Sequence, residues 1–296
     1  MTHHELLDKA LYSSATIHQP HSLKAYLSAK NLYDHLGQPP NIWAQTSHLI
    51  NQSELKVSCV YSDTVQSPKF SELRIKRILR RGIYPAAYQA IVQWHENKGF
   101  NDIFSHYVSE ASKTNEYLSH NVTILLALNC AYKELESPQI PAFLNRFTEF
   151  VTSTFSGYET KTTDIATLEV SEVLQSCLNQ FGFFGHNLIS LAWILRCKDS
   201  LSPAQYLSML SNLYSQANTP PEDPSDEINL AVWELREQKM SHEAFIETVG
   251  SLVFDYSSNL HQITLADALC FLQKTFPANT SELRDVAEYQ CRMLEK

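Results

Sequence analysis

Apolar residues recur at intervals of three and four along almost the whole chain, the spacing that places side chains on one face of an α-helix. Leu6, Leu7, Ala10 and Leu11 make the first such stripe. Pro20 opens a second, with Leu23, Tyr26, Leu27, Leu32 and Leu36, which Gly37 and Pro39-Pro40 bring to a stop. Ile42, Trp43, Leu49 and Ile50 continue the helical reading. The stretch from Leu55 to Tyr61 alternates polar and apolar positions and is the one strand candidate, too short and isolated to predict a sheet. From Lys69 to Arg81 the pattern sets Phe70, Leu73 and Ile78 near one face and Arg74, Lys76, Arg77, Arg80 and Arg81 on the other, and Gly82 and Pro85 end that element. Helices built on Tyr88, Ile91 and Trp94, then Ile103 and Tyr107, carry the chain to about residue 112.

Beyond the polar run Glu110 to Glu116 the helices become longer and more apolar, which predicts a boundary between a helical segment 1–112 and a helical segment 113–296. Ser137-Pro138 starts a helix through Phe143, Leu144, Phe147, Phe150 and Val151. Thr162-Thr163-Asp164 is placed to cap the next, whose stripe is Leu168, Val170, Val173, Leu174 and Leu178. Ser202, Pro203 and Gln205 form the serine, first-turn proline and third-position glutamine of a capping box, which predicts a helix from 203 to about 216. A surface loop rich in proline and acid runs from Asn218 to Ser225, with further helices through Val232, Trp233, Phe245, Leu252 and Phe254 and a last one after Asn279 and Glu282. The expected fold is all-α, a multi-helical array in two helical subdomains.

Composition narrows the function. Only 7 glycines among 296 residues leave few tight turns for a sheet-rich or phosphate-cradling fold. A net charge of −9 repels a phosphate backbone and argues against nucleic acid as a partner. The six cysteines include no C-x-x-C pair and several lie in apolar helical stretches, as expected of buried thiols in a reducing compartment. No stretch approaches the roughly 18 apolar residues of a membrane helix, and the N-terminus has neither a basic leader nor an apolar signal core. The expectation is a cytoplasmic protein without a membrane partner. The basic face of Arg74, Arg77, Arg80 and Arg81, or the acidic loop at 222–227, would suit a protein partner if the chain is a non-catalytic helical interaction module.

The candidate chemistry is histidine. No nucleophile elbow, phosphate loop, dinucleotide fingerprint or H-E-x-x-H zinc helix is present. His18, His21, Asp34, His35 and His48 are similar in kind to the metal ligands of HD-type phosphohydrolases, but Leu49 follows His48 and the Asp34-His35 order is reversed, so a relic of that helical scaffold over residues 15–50 is the expectation there. Three other histidines stand at the mouths of apolar helices. His120 and His261 share a pattern of a β-branched residue two positions on, threonine at the third and Ala-Leu at the seventh and eighth, and His186 opens the apolar run to Trp193. Thr123, Ser190 and Thr264, one turn on, are expected beside their histidines, fixing the ring tautomers. If the three mouths converge on an apolar pocket, a neutral imidazole there can take a proton from a phenol or activated carbon acid, and the protonated ring can stabilise the anion. Phe181, Phe183, Phe184, Trp193 and Tyr256 would supply flat walls for a ring-shaped substrate. Spacing leaves open whether His120, His186 and His261 instead hold a metal such as iron.

Three segments carry a family resemblance: Ser119-His120-Asn121-Val122-Thr123 onward to Leu128, with the later run to Phe147; Phe184-Gly185-His186-Asn187 onward to Trp193; and Asp255 through His261 and Thr264 to Leu269. In this order they resemble the questin oxidase-like family over roughly residues 115–290. The resemblance implies a helical fold and an oxidoreductase, a monooxygenase-like tailoring enzyme of secondary metabolism that opens an aromatic or polyketide-like ring with a reduced nicotinamide such as NADPH as reductant. It implies His120, His186 and His261 as site residues, with Thr264 and Asn187 beside them.

Overall fold

The computed structural model describes residues 1–15, 19–59, 68–114, 116–156, 168–233 and 242–295. Among these residues the chain is all-α: fourteen helices and one two-stranded ribbon. In chain order the helices are α1 (His3–Leu11), α2 (His21–His35), α3 (Ile42–Ser53), α4 (Glu72–Arg80), α5 (Ala86–Ala111), α6 (His120–Tyr132), α7 (Ile140–Thr154), α8 (Val170–Asn179), α9 (His186–Arg196), α10 (Pro203–Ala217), α11 (Leu230–Trp233), α12 (His242–Phe254), α13 (Leu260–Thr275) and α14 (Thr280–Leu294). Some of their starts follow ordinary capping chemistry. Thr2 with Glu5, Ser202 with Gln205 and Asn259 with Gln262 each form a reciprocal box, so orphan N–H groups at those ends are met by side chains. Gly99, at φ 76°, kinks α5 between the two apolar stripes that the sequence separates.

Three expectations are corrected locally. The strand is shorter than its alternation, with only Leu55–Lys56 pairing antiparallel to Ser13–Ser14. Leu73 does not share the buried face of α4 but is 83% exposed, and Ile75, Ile78 and Leu79 anchor that helix instead. The helix after residue 168 is capped by Glu169 and Glu172, whereas Thr162–Asp164 lies outside the described residues. No helix among the described residues is long and apolar enough to cross a membrane.

The centre of the molecule is a ring of four helices in which α2 packs on α6, α6 on α9, α9 on α13 and α13 on α2. All four run in the same direction. Short hairpin loops give antiparallel neighbours, so this arrangement requires long returns. The returns are helical: α3 to α5 lead from α2 to α6, α7 and α8 from α6 to α9, and α10 to α12 from α9 to α13. The apolar core is therefore continuous across residue 112, and α2 is part of the same ring as the three later helices. A polar tie fixes their register. Asp267 on α13, 1% exposed, accepts from Ser28 Oγ of α2 at 2.9 Å and from Arg196 Nη1 and Nη2 of α9 at 2.9 and 2.7 Å. A fully occupied buried carboxylate of this kind specifies one alignment, because sliding any helix by a turn would strand its charge.

Candidate functional site

Parallel helices bring their N-termini together, and in this ring each N-terminus carries a histidine. His21, His120 and His186 are the first residues of α2, α6 and α9, and His261 is the second of α13. The four imidazoles form a closed square, with ring centroids 5.1 Å apart for His21 and His120, 5.0 Å for His120 and His186, 4.9 Å for His186 and His261, and 5.3 Å for His261 and His21. His120 Nε2 is 3.1 Å from His186 Nε2. One ligand nitrogen from each of His21, His120 and His261 lies within 4.8 Å of the other two. The three histidines expected at the site do converge, and His21, expected in a different arrangement, joins them. His48 and Asp34 are exposed and His35 is half-buried, so none is in the square, and His18 lies outside the described residues.

Two of these histidines are presented by the same local device. Leu118 and Ser119, at φ 66° and 52°, and Phe184 and Gly185, at φ 45° and 77°, are consecutive left-handed residues that turn the chain directly into α6 and α9. After each histidine comes an asparagine, Asn121 or Asn187, whose amide donates to a backbone carbonyl seven residues upstream, Thr114 at 3.4 Å or Gln180 at 2.6 Å. Gln216 of α10 clasps both turns, accepting from Ser119 Oγ at 3.1 Å and donating to Asn187 Oδ1 at 2.6 Å. Asn187 thus positions the turn and also lines a surface pocket of about 110 Å³ with Tyr117, Leu118, Gln180 and Gln216; no histidine lines that pocket.

Ring tautomers follow from what each nitrogen faces. A carbonyl oxygen only accepts, so His186 Nδ1, which lies against the Phe183 carbonyl, carries its proton, and so does His261 Nδ1 at 3.1 Å from Asn259 Oδ1. Both rings keep an Nε2 lone pair. The expected hydroxyl partners do not set these tautomers. Thr264 Oγ1 donates to the His261 backbone carbonyl at 3.0 Å, and the buried Thr123 and Ser190 hydroxyls have no hydrogen-bond partner among the described residues. Of the expected aromatic walls, Phe184 stacks on His261 and Phe183 on His186, at centroid distances of 5.4 and 5.9 Å. Phe181 packs instead on Trp233 and Tyr289, Trp193 lies under Arg196, and Tyr256 reaches Glu295.

The electrostatics keep the cluster neutral. Burial first, and then the charge of Lys24, pushes His186 down to about 3; burial, Lys24 and His186 do the same for His21. His120 and His261 are held well below the ordinary histidine range by burial and by their neighbouring imidazoles. Lys24, one turn after His21 and 1% exposed, has no hydrogen-bond partner for Nζ among the described residues, and burial lowers it to about 7. The four helix ends add positive potential. Two carboxylates answer it: Glu54 accepts from Ser22 N at the start of α2 at 2.9 Å, and Glu116 from Asn121 N at the start of α6 at 2.6 Å. Burial raises both acids to about 7.

Lys24, Glu54 and Glu116 are site residues that sequence reading missed, and His21 it grouped with His35 and His48 instead. His21 had a signal, since Pro20-His21 sets a histidine at a helix mouth like the other three. Lys24 had none, because a lysine one turn into a helix is ordinarily solvated. Comparison with protein-family models, with curated proteins and with solved structures finds no match to the chain.

The basic face expected on α4 is solvent-facing: Arg74, Arg77, Arg80 and Arg81 are exposed, with Arg74 over the Phe70 ring and Lys76 paired to Glu72.

Proposed function

We propose that the chain is an oxidoreductase acting on an aromatic small molecule, with His21, His120 and His261, whose ligand nitrogens lie within 4.8 Å of one another, holding a transition-metal ion such as iron, and His186, 3.1 Å from His120, closing in as a further ligand. The observation that carries the reading is the square of four neutral imidazoles, two of them with Nδ1–H anchored so that Nε2 keeps its lone pair. Neutral imidazole is the ligand form of histidine, and an anchored second nitrogen is the usual support of a metal-bound one. The 3.1 Å between His120 Nε2 and His186 Nε2 fits two ligands of one ion: with metal–nitrogen bonds of roughly 2.0–2.1 Å it corresponds to an angle of about 95–100°. An all-imidazole set suits iron, copper, zinc or nickel.

When bound, such an ion would supply Lewis acidity and, for iron or copper, one-electron chemistry with dioxygen. The protein's own residues would do the rest. Phe183 and Phe184 offer planar faces beside His186 and His261 for a flat ring. The four helix N-termini favour an anionic substrate oxygen, such as a phenolate. Lys24 at about 7 is poised to give or take a proton near that oxygen. Reduced nicotinamide stays in the reading as the reductant that the family resemblance implies.

A second reading rests on the same contact. Without a metal, His120 Nε2–H donates to His186 Nε2, and Lys24, lowered to about 7 beside the linked rings, acts as the general base on a phenol. The deciding experiment is titration of chelator-treated protein with ferrous, cupric and zinc ions. One tightly bound equivalent that disappears in His186→Ala, with dioxygen uptake on polycyclic phenols only in the loaded form, supports the metal reading. No binding of any of the three by folded protein would overturn it and leave the base.

A further inference from the structure

The two helices that begin with His120 and His186 also end beside each other. At their far ends Cys130 of α6 and Cys197, the residue that closes α9, have their sulfurs 3.7 Å apart. Both are reduced thiols. The sequence positions alone, 67 residues apart, gave no sign of pairing. The match is a consequence of parallel packing: ten residues lead from His120 to Cys130 and eleven from His186 to Cys197, so helices level at one end are level at the other.

We propose that Cys130 and Cys197 form a thiol pair that a peroxide oxidises to an intramolecular disulfide, tying together the C-terminal ends of the two histidine-bearing helices. A disulfide needs its sulfurs at about 2.05 Å, so closing the 3.7 Å gap asks for an approach of roughly 1.7 Å rather than unfolding. The two thiols differ in the way a nucleophile and a resolving partner must. Cys130 is half-buried and Cys197 is 4% exposed, so peroxide meets Cys130 first. The hydrogen bond from Cys197 lowers the Cys130 thiol, and nearby Lys133 and Arg196 add to this; the same bond and burial raise Cys197. Cys177, Cys270 and Cys291 are instead buried thiols raised by desolvation.

The steps balance. The Cys130 thiolate attacks one peroxide oxygen, the O–O bond breaks, and hydroxide leaves to take up a proton, giving a sulfenic acid. Cys197 loses its proton and attacks that sulfur, the S–O bond breaks, and water departs. Two thiols are oxidised and one hydrogen peroxide is reduced to two waters.

The test is a modest excess of hydrogen peroxide on the full chain in a chelator, which suppresses metal-catalysed oxidation, followed by alkylation and peptide mass spectrometry. The expected result is a Cys130–Cys197 linked peptide with the other four thiols alkylated, and a melting temperature raised by a few degrees that a dithiol reductant returns to its starting value. In Cys197→Ser, dimedone should trap Cys130 as the sulfenic acid. Wild-type protein in which Cys130 and Cys197 stay alkylatable while Cys59 oxidises, or in which Cys130 passes to the sulfinic acid with no linked peptide, overturns the proposal. The wild-type peptide map decides the matter even if the serine variant does not fold.

Discussion

His120 Nε2 and His186 Nε2 stand 3.1 Å apart although 66 positions separate them in the chain. That contact exists because α6 and α9 are parallel and enter through the same kind of left-handed turn. Two groups sharing one ion or one hydrogen bond lose most of their joint effect when either is removed. His120→Ala and His186→Ala should each weaken metal binding by more than the roughly 10–100-fold that loss of an outer partner costs, and the double variant should add little to either. Calorimetric metal titration of the three variants checks this, and independent, additive losses would count against a shared site.

Asn259 serves two masters. Its Oδ1 caps α13 by accepting from His261 N at 2.8 Å and also holds His261 Nδ1 at 3.1 Å. Asn259→Ala should lower stability by about 1 kcal/mol through the lost cap and reduce metal affinity roughly 10–100-fold by freeing the ring. Asn259→Asp should restore the cap and most of the affinity. Equal affinity in all three proteins would show that the His261 ring needs no such anchor.

Gly185 allows the closest approach in the site. It sits at φ +77°, and a β-carbon there would come within 2.5 Å of Leu265 Cδ1 on α13. Gly185→Ala combines backbone strain with a steric conflict, so a loss of about 2–4 kcal/mol is expected, together with displacement of His186. Chemical denaturation reads the first effect and metal affinity the second.

Lys24 is costly where it stands. Held at about 7 by burial and without a partner among the described residues, it loses hydration that nothing visible replaces. Lys24→Met should raise stability at neutral pH by on the order of 2–5 kcal/mol while impairing turnover, the pattern expected when a strained group is kept for function. A stabilised variant of undiminished activity would remove Lys24 from the chemistry.

The pH dependence of stability follows from the same groups. The four histidines have folded values depressed below an unfolded value near 6.5, so between that pH and their folded values the unfolded chain binds more protons and stability falls as pH falls. Glu54 and Glu116, raised to about 7, act in the opposite sense between roughly pH 4.5 and 7, because the folded state binds the extra protons there. Four sites outweigh two. From pH 6.5 down to 4.5 stability should drop by up to about 2–3 kcal/mol per unit, and from 7 towards 10 it should rise as Lys24 is neutral only in the folded state. Melting curves across this range check the sign, and a maximum near pH 5 would contradict it.

The all-α fold was legible residue by residue because helix periodicity and capping act over one or two turns. Ser202 and Gln205 predicted α10 almost to its ends, and Gly37 and Gly82 marked true stops. The three later histidines were recognisable as a set because each opens an apolar helix. What the sequence could not supply is which helices are neighbours and in which direction they run. That is decided by burial of whole helix faces and by long-range polar ties such as Asp267 with Ser28 and Arg196. His21 could be grouped with His48 on proximity in sequence, and only the parallel ring of α2, α6, α9 and α13 moved it to the side of His120. Lys24 and the Cys130–Cys197 pair became visible for the same reason: the environment of a buried amine or thiol is made by residues from other helices, and no local pattern encodes it.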